Sequence, residues 1–242
     1  MRLTCMLAPG LIAAALFAAE SAAPSLDEIL DRMAETDAAR TQATHRITCM
    51  RRYVVTNARF NKRAELVVKS VWTNPGYKDF EIVSESGTPV LRKKILYRML
   101  EGEKETAIAT RGRTPITRAN YDFRLLGAET LNQRPAWVLE LKPRFEKRYL
   151  LRGRAWVDAA DFAVIRMEGT CAKNPSFWTR EVRMSLEYTK YGEFWLPVRS
   201  RSQTDARLFG VSQVIIDYYD HSVEPATATA QARPADPERA RR

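Results

Sequence analysis

From Leu26 onward the chain places large apolar residues at helical spacing. Leu26, Ile29, Leu30 and Met33 recur every three or four positions, with Asp27, Glu28, Asp31 and Glu35 facing elsewhere. Ser25 and Glu28 have the spacing of a capping box, in which hydroxyl and carboxylate satisfy free amide N–H groups at a helix start. An amphipathic helix is predicted over about residues 25–40. The period then drops to two. Ile47, Cys49, Tyr53 and Val55 alternate with Thr48, Arg52 and Val54; Ala64, Leu66, Val68 and Trp72 alternate with Glu65, Lys69 and Thr73. Phe80, Ile82 and Ser84 alternate with Glu81 and Glu85, and Asn74-Pro75-Gly76 supplies a turn. This predicts three antiparallel strands, each with one apolar face.

Thr88-Pro89 starts a second helix, because proline at the first helical position gives up no hydrogen bond. Its stripe is Leu91, Ile95, Leu96, Met99 and Leu100, and it is expected to fray near Arg111-Gly112. Glu101, Glu103 and Glu105 stand two apart, fall on different sides of the helix, and are expected to form a solvated helix end. Strands return from Tyr121. Trp137, Leu139 and Leu141 make one apolar face; so do Tyr149, Leu151, Ala155 and Val157, and then Ala163, Ile165 and Met167. Trp178, Val182, Met184, Leu186 and Tyr188 alternate with Thr179, Glu181, Arg183 and Glu187. Phe194, Leu196 and Val198, then Val214, Ile216 and Tyr218, complete a set of roughly ten strands. Asp158 and Asp161 bracket a turn that they are expected to cap.

The ends of the chain read differently. Arg2 precedes an uncharged apolar run, Leu7 to Ala19, followed by small residues that suit cleavage after Ser21. The run falls short of the roughly 20 apolar residues that span a bilayer. A signal peptide over 1–21, export and a periplasmic address are therefore expected. Cys5 lies ahead of the run, which argues against a lipid-modified N-terminus. Beyond about Val223 the composition turns to Ala, Thr, Pro and Arg, and a disordered basic tail is expected over 224–242, leaving one domain over 22–223.

The net charge of +10 favours acidic partners, and export makes an anionic membrane surface a better candidate than nucleic acid, for which no motif is present. Arg51-Arg52, Lys62-Arg63, Lys147-Arg148, Arg152, Arg154, Arg180, Arg183, Arg199 and Arg201 are expected mostly on the polar strand faces. In an oxidising compartment Cys49 and Cys171 either pair or stay as two buried thiols. His45 and His221 lack ligand or general-base company, and no nucleophile elbow, phosphate loop or His-Glu-x-x-His occurs. The expectation is a non-enzyme without metal or cofactor, working as a monomer.

The order of elements resembles the LolA/LolB family of lipoprotein carriers, and more narrowly the outer membrane lipoprotein-sorting proteins. The residues that carry the resemblance are Tyr121 to Gly127, Arg134 to Pro143, Gly153 to Asp158, Arg166 to Gly169, Asn174 to Trp178 and Phe194 to Val198. The resemblance implies an α+β, mainly antiparallel fold: a curved half-barrel sheet of about ten strands with two helices on its concave face. It also implies a carrier that binds a lipid or lipoprotein acyl chain for transit to the outer membrane; the alternative is a sensor or scaffold binding a protein or anionic polymer. The expected lining is Leu66, Val68, Trp72, Phe80, Ile82, Leu96, Met99, Trp137, Leu139, Leu141, Met167, Trp178, Met184 and Leu186, which would equally serve as a filled core. Carriers of this family hold the lid with an arginine; this sequence offers several and singles out none.

Overall fold

A computed structural model describes residues 23–111, 115–147, 149–174, 179–208 and 210–226. The expected signal peptide, Trp178 and the tail beyond residue 226 lie outside the described residues. Helix α1 (Leu26–Ala43) starts as the spacing predicts: the Glu28 amide donates to the Ser25 hydroxyl, and the Ser25 amide donates to the Glu28 carboxylate at 2.7 Å. Strands β1 (Thr44–Asn57), β2 (Lys62–Thr73) and β3 (Tyr77–Gly87) form the first meander. A second helical segment follows as α2 (Pro89–Leu91), a π-helical turn (Arg92–Leu96) and α3 (Tyr97–Thr110), ended by Arg111 in the left-handed conformation. The remaining strands are β4 (Tyr121–Leu131), β5 (Arg134–Pro143), β6 (Leu151–Asp158), β7 (Val164–Cys171), β8 (Thr179–Tyr191), β9 (Phe194–Ala206) and β10 (Gly210–Pro225). No helix among the described residues is long and apolar enough to cross a membrane.

All ten strands join one antiparallel sheet in the order β3-β2-β1-β10-β9-β8-β7-β6-β5-β4, open between β3 and β4. Directly opposed residues on neighbouring strands share a face. One row of such partners runs Leu125–Leu139–Ala155–Met167–Leu186–Ser200–Ile216–Tyr53–Leu66 across the sheet. Its two ends belong to two separate cores. Ile29, Leu30 and Met33 of α1 pack with Leu139, Leu141, Ala155 and Val157. Leu91, Leu96 and Leu100 pack with Tyr53, Val55, Leu66, Val68, Val214 and Ile216. Both helical segments therefore cover the same face, and the architecture is the expected open half-barrel.

Polar contacts lay α1 across one end of the sheet. Arg118, just before β4, meets Asp27 and Asp31 at the helix start. Further along, Thr36 donates to the Asp161 carbonyl in the β6–β7 turn, and Asn74 donates to the Thr41 and Thr44 carbonyls at the other end. Five pairs of neighbouring strands carry register shifts, each a local bend. Gly153 and Gly169 oppose each other on β6 and β7 so closely that a Cβ on Gly153 would lie 2.0 Å from the Glu168 carbonyl oxygen.

Two expectations change here, and one open alternative is decided. The shift at Trp156/Val157 turns Ile165 away from the helices, and Ile165 and Ala163 join Trp156, Val138 and Trp195 in a third, smaller core, without Met167. Arg166 lies over the Trp156 ring and Arg134 over Trp195, so long basic side chains cover this core. Secondly, Cys49 and Cys171 are free. They sit on β1 and β7 with β10, β9 and β8 between, roughly 19 Å of sheet, where a bridge needs Cα atoms within about 7 Å. Thirdly, Arg51 lies on the apolar face. Asp158 caps the turn as expected, its carboxylate accepting from the Ala160 and Asp161 amides and taking two bonds from Arg134, whereas the Asp161 carboxylate turns instead to the Trp195 indole, Lys190 and Arg134.

Candidate binding site

Alternation in β1 puts Cys49, Arg51, Tyr53 and Val55 on the helix-covered face, and alternation in β3 adds Lys78 and Phe80. Helix α3 lies over them and lowers Glu103 onto the group. Arg51 Nη1 and Lys78 Nζ both reach Glu103 Oε2, at 2.7 and 2.6 Å, and the Tyr53 hydroxyl donates to Oε1 at 2.9 Å. The side chains of Arg51, Lys78 and Glu103 are 9%, 16% and 25% exposed. The Arg51 guanidinium stands 4.8 Å from the Tyr218 ring centre and 5.5 Å from that of Phe80, so aromatic faces complete its surroundings. Glu103 is thus no part of a solvated helix end, although Glu101 and Glu105 are exposed as expected.

Electrostatics follow from this packing. Burial raises the Glu103 pKa, but the charges of Lys78 and Arg51 and the bonds from Lys78 and Tyr53 overcome it and hold the value at about 2. Burial pulls the Lys78 pKa down, opposed by Glu103. Burial also works against the Arg51 charge, and Glu103 more than restores it. Two cations share one carboxylate, so the cluster carries one positive charge in excess. Outside it, Lys104 meets Asp79 at 2.9 Å, and Arg92 and the Tyr97 hydroxyl meet Glu85. These contacts fasten the second helical segment to the sheet edge.

The expected lining residues divide by position. Leu66, Val68 and Leu96 are fully buried in the core under the second helical segment, with Phe80 and Met99 packed at its margin. Leu139 and Leu141 are fully buried under α1, with Trp137 and Met167 at that margin. Met184 and Leu186 lie between the two cores, half-buried, on the strip that neither helical segment covers; the Cys171 sulfur is 3.6 Å from that of Met184. Trp72 is half-buried, and Ile82 on the edge strand is 47% exposed. The strip and the charged cluster share a face: Tyr218 of β10 touches the cluster, and the row through Leu186 reaches Tyr53 in three strand steps, by way of Ser200 and Ile216. Beside Arg52, Arg51 suggests a surface pair; its position in phase with Cys49 and Tyr53 carries the contrary signal.

Comparison with known proteins gives a fold neighbourhood only. No family model and no curated protein matches the sequence. Among solved structures, the chain is similar to a LolA superfamily protein from Nitrosomonas europaea at 12% identity and a TM-score of 0.48, covering 87% of this chain and 99% of that one. It is also similar to a DUF1329 family protein from Desulfovibrio piger at 13% identity, TM-score 0.45, covering 86% of this chain and 96% of that one. A third similar structure is a domain from Vibrio parahaemolyticus described as outer membrane lipoprotein-sorting, at 13% identity, TM-score 0.44, covering 82% and 94%. The sheet order and the two helical segments on one face define an open antiparallel half-barrel. Among the described residues no group of three His, Cys, Asp or Glu could hold a metal ion.

Proposed function

We propose that this protein is an exported carrier that takes an apolar ligand, a lipid or lipoprotein acyl chain, onto the helix-covered face for transit to the outer membrane. The observation that carries the reading is the fastening of the second helical segment. It closes on the sheet through an ionic cluster on the same face as the half-buried Met184 and Leu186, so opening it trades charge contacts and exposes apolar surface. Each methylene moved out of water gains about 0.8 kcal/mol, so eight covered methylenes supply roughly 6 kcal/mol toward binding. Methionines suit chains of varied shape because their side chains are flexible and polarisable. Export is supported by the apolar Leu7 to Ala19 segment and the small residues after it.

The test is titration of the full chain with a fluorescent fatty acid, backed by native mass spectrometry of protein purified from periplasm. Saturable uptake and co-purified lipid are expected, and Met184→Asp should abolish uptake in a protein that keeps its circular dichroism. A folded wild type that takes up nothing, or a folded Met184→Asp that still does, refutes the reading.

A second reading is favoured by the opposite face. A trough of about 640 Å³ there is lined by Arg154, Arg183 and Arg201 with Thr170, Ser185, Gln203 and Gln213, by a single carboxylate, Glu168, and also by Gly153, Gly169, Met184 and Ser202, which register assigns to the helix-covered side. Arg183 and Arg201 already meet Glu181 and Glu187, at 2.7 and 3.3 Å, so an anionic polymer lying across the strands would compete with those carboxylates for the guanidiniums. Such binding is expected to weaken steeply with salt and to drop at least tenfold when all three arginines become glutamine. Retention of a polyuronate by that triple variant removes this reading.

A further inference from the structure

The charge count under α3 says something about the ligand itself. Arg51 and Lys78 belong to strands β1 and β3 of the sheet, while Glu103 belongs to the helix. Both cations bind the same oxygen of Glu103, and Tyr53 binds the other. When the helix parts from the sheet, the only carboxylate in the cluster leaves with it. Arg51 and Lys78 stay behind among Cys49, Phe80 and Tyr218, with no negative charge between them.

We infer that the ligand is an acidic amphiphile whose carboxylate or phosphate takes the place of Glu103 between Arg51, Lys78 and Tyr53. This rests on the carrier reading above and deepens it. A neutral ligand entering under the helix leaves two partly desolvated cations unpaired, which is strongly unfavourable. An acidic group restores the pairing and brings two oxygens to the same three donors. Because the cluster already holds one cation in excess, an acid of one or two negative charges leaves it no worse balanced than Glu103 does. Glu103 is then an internal competitor, bound when the site is empty and released when the acid arrives. The apolar tail of such a molecule would lie toward Met184 and Leu186, on the same face of the sheet.

The experiment uses the full wild-type chain and a neutral fluorescent apolar probe, displaced at pH 8 by palmitic acid, hexadecyl phosphate or methyl palmitate. Both acids are expected to displace the probe at concentrations at least tenfold lower than the ester, and the ratio between the two acids reports whether carboxylate or phosphate is preferred. Lys78→Met, which removes the excess cation, should shrink the acid-to-ester ratio at least threefold. Equal displacement by acids and ester in a wild type that binds the probe overturns the inference and leaves the carrier reading standing. A folded wild type that binds no probe takes down both. Should Lys78→Met fail to fold, the wild-type ratios alone decide.

Discussion

Replacing Glu103 with leucine lowers the free energy of unfolding by about 3–5 kcal/mol, whereas Lys78→Met costs at most about 1 kcal/mol. The asymmetry comes from the charge count. Glu103→Leu leaves Arg51 and Lys78 facing each other under α3 with no carboxylate to share. Lys78→Met leaves Arg51 and Glu103 as a neutral pair and adds apolar contact with Phe80. Urea unfolding of the two variants and the wild type reads the difference directly, and equal midpoints for the variants would sink the assignment. The same cluster sets a pH dependence. Folding lowers the Glu103 pKa from 4.5 to about 2, so its stabilisation is complete above the ordinary value and fades as the pH falls toward 2. The full effect is roughly 3 kcal/mol, lost between about pH 5 and pH 2. In the Glu103→Leu variant the acid loss should be smaller by this contribution, leaving only the slope from other carboxylates that the fold holds low, such as Asp158 and Glu65.

Gly153→Ala is expected to prevent folding or to cost more than about 4 kcal/mol. The added methyl group would stand 2.0 Å from the Glu168 carbonyl oxygen and 2.6 Å from the Gly169 Cα, both of them backbone atoms of the paired strand. A side chain could swing aside; a strand in the middle of a sheet cannot. Gly102 in α3 is the contrasting case, with nothing within 4 Å of the position a Cβ would take. Gly102→Ala should raise stability by about 0.5–1 kcal/mol, because alanine gives up less backbone freedom in a helix. Thermal unfolding followed by circular dichroism compares the two, and a Gly153→Ala protein that melts with the wild type contradicts the close approach of β6 and β7.

The fold was readable where one physical rule acts alone. Ser25 and Glu28 announced α1, and strict alternation announced the strands, because half-buried sheets enforce period two on every residue. Reading failed where two rules compete. Arg51 satisfies the alternation but breaks the rule that charges face water, and the second rule was followed although the partner that makes burial tolerable lies fifty-two residues away. Glu103 was lost for the same reason: helical spacing from Glu101 and Glu105 says which side it faces, and nothing local says that a sheet waits there. Ile165 went astray because a one-residue register shift reverses the faces, and such a shift leaves no mark on the hydrophobic pattern. The candidate site was therefore legible in its apolar half and hidden in its ionic half. Ionic contacts between distant elements are pairings, and a single sequence shows only the members.

The pairing of β1 with β10 also bears on how the chain is made. Ribosomes deliver β1 first and β10 last, and these two strands are neighbours in the middle of the sheet. Until the final strand emerges, β1 to β3 can assemble as a meander but keep the β1 side open, an unpaired edge beside apolar Tyr53 and Val55. Closing that gap joins the two halves of the sheet across almost the whole length of the chain, a contact pattern that folds slowly. A newborn copy is thus a sticky half-sheet for as long as translation takes, and is best held by a chaperone until its last strand arrives.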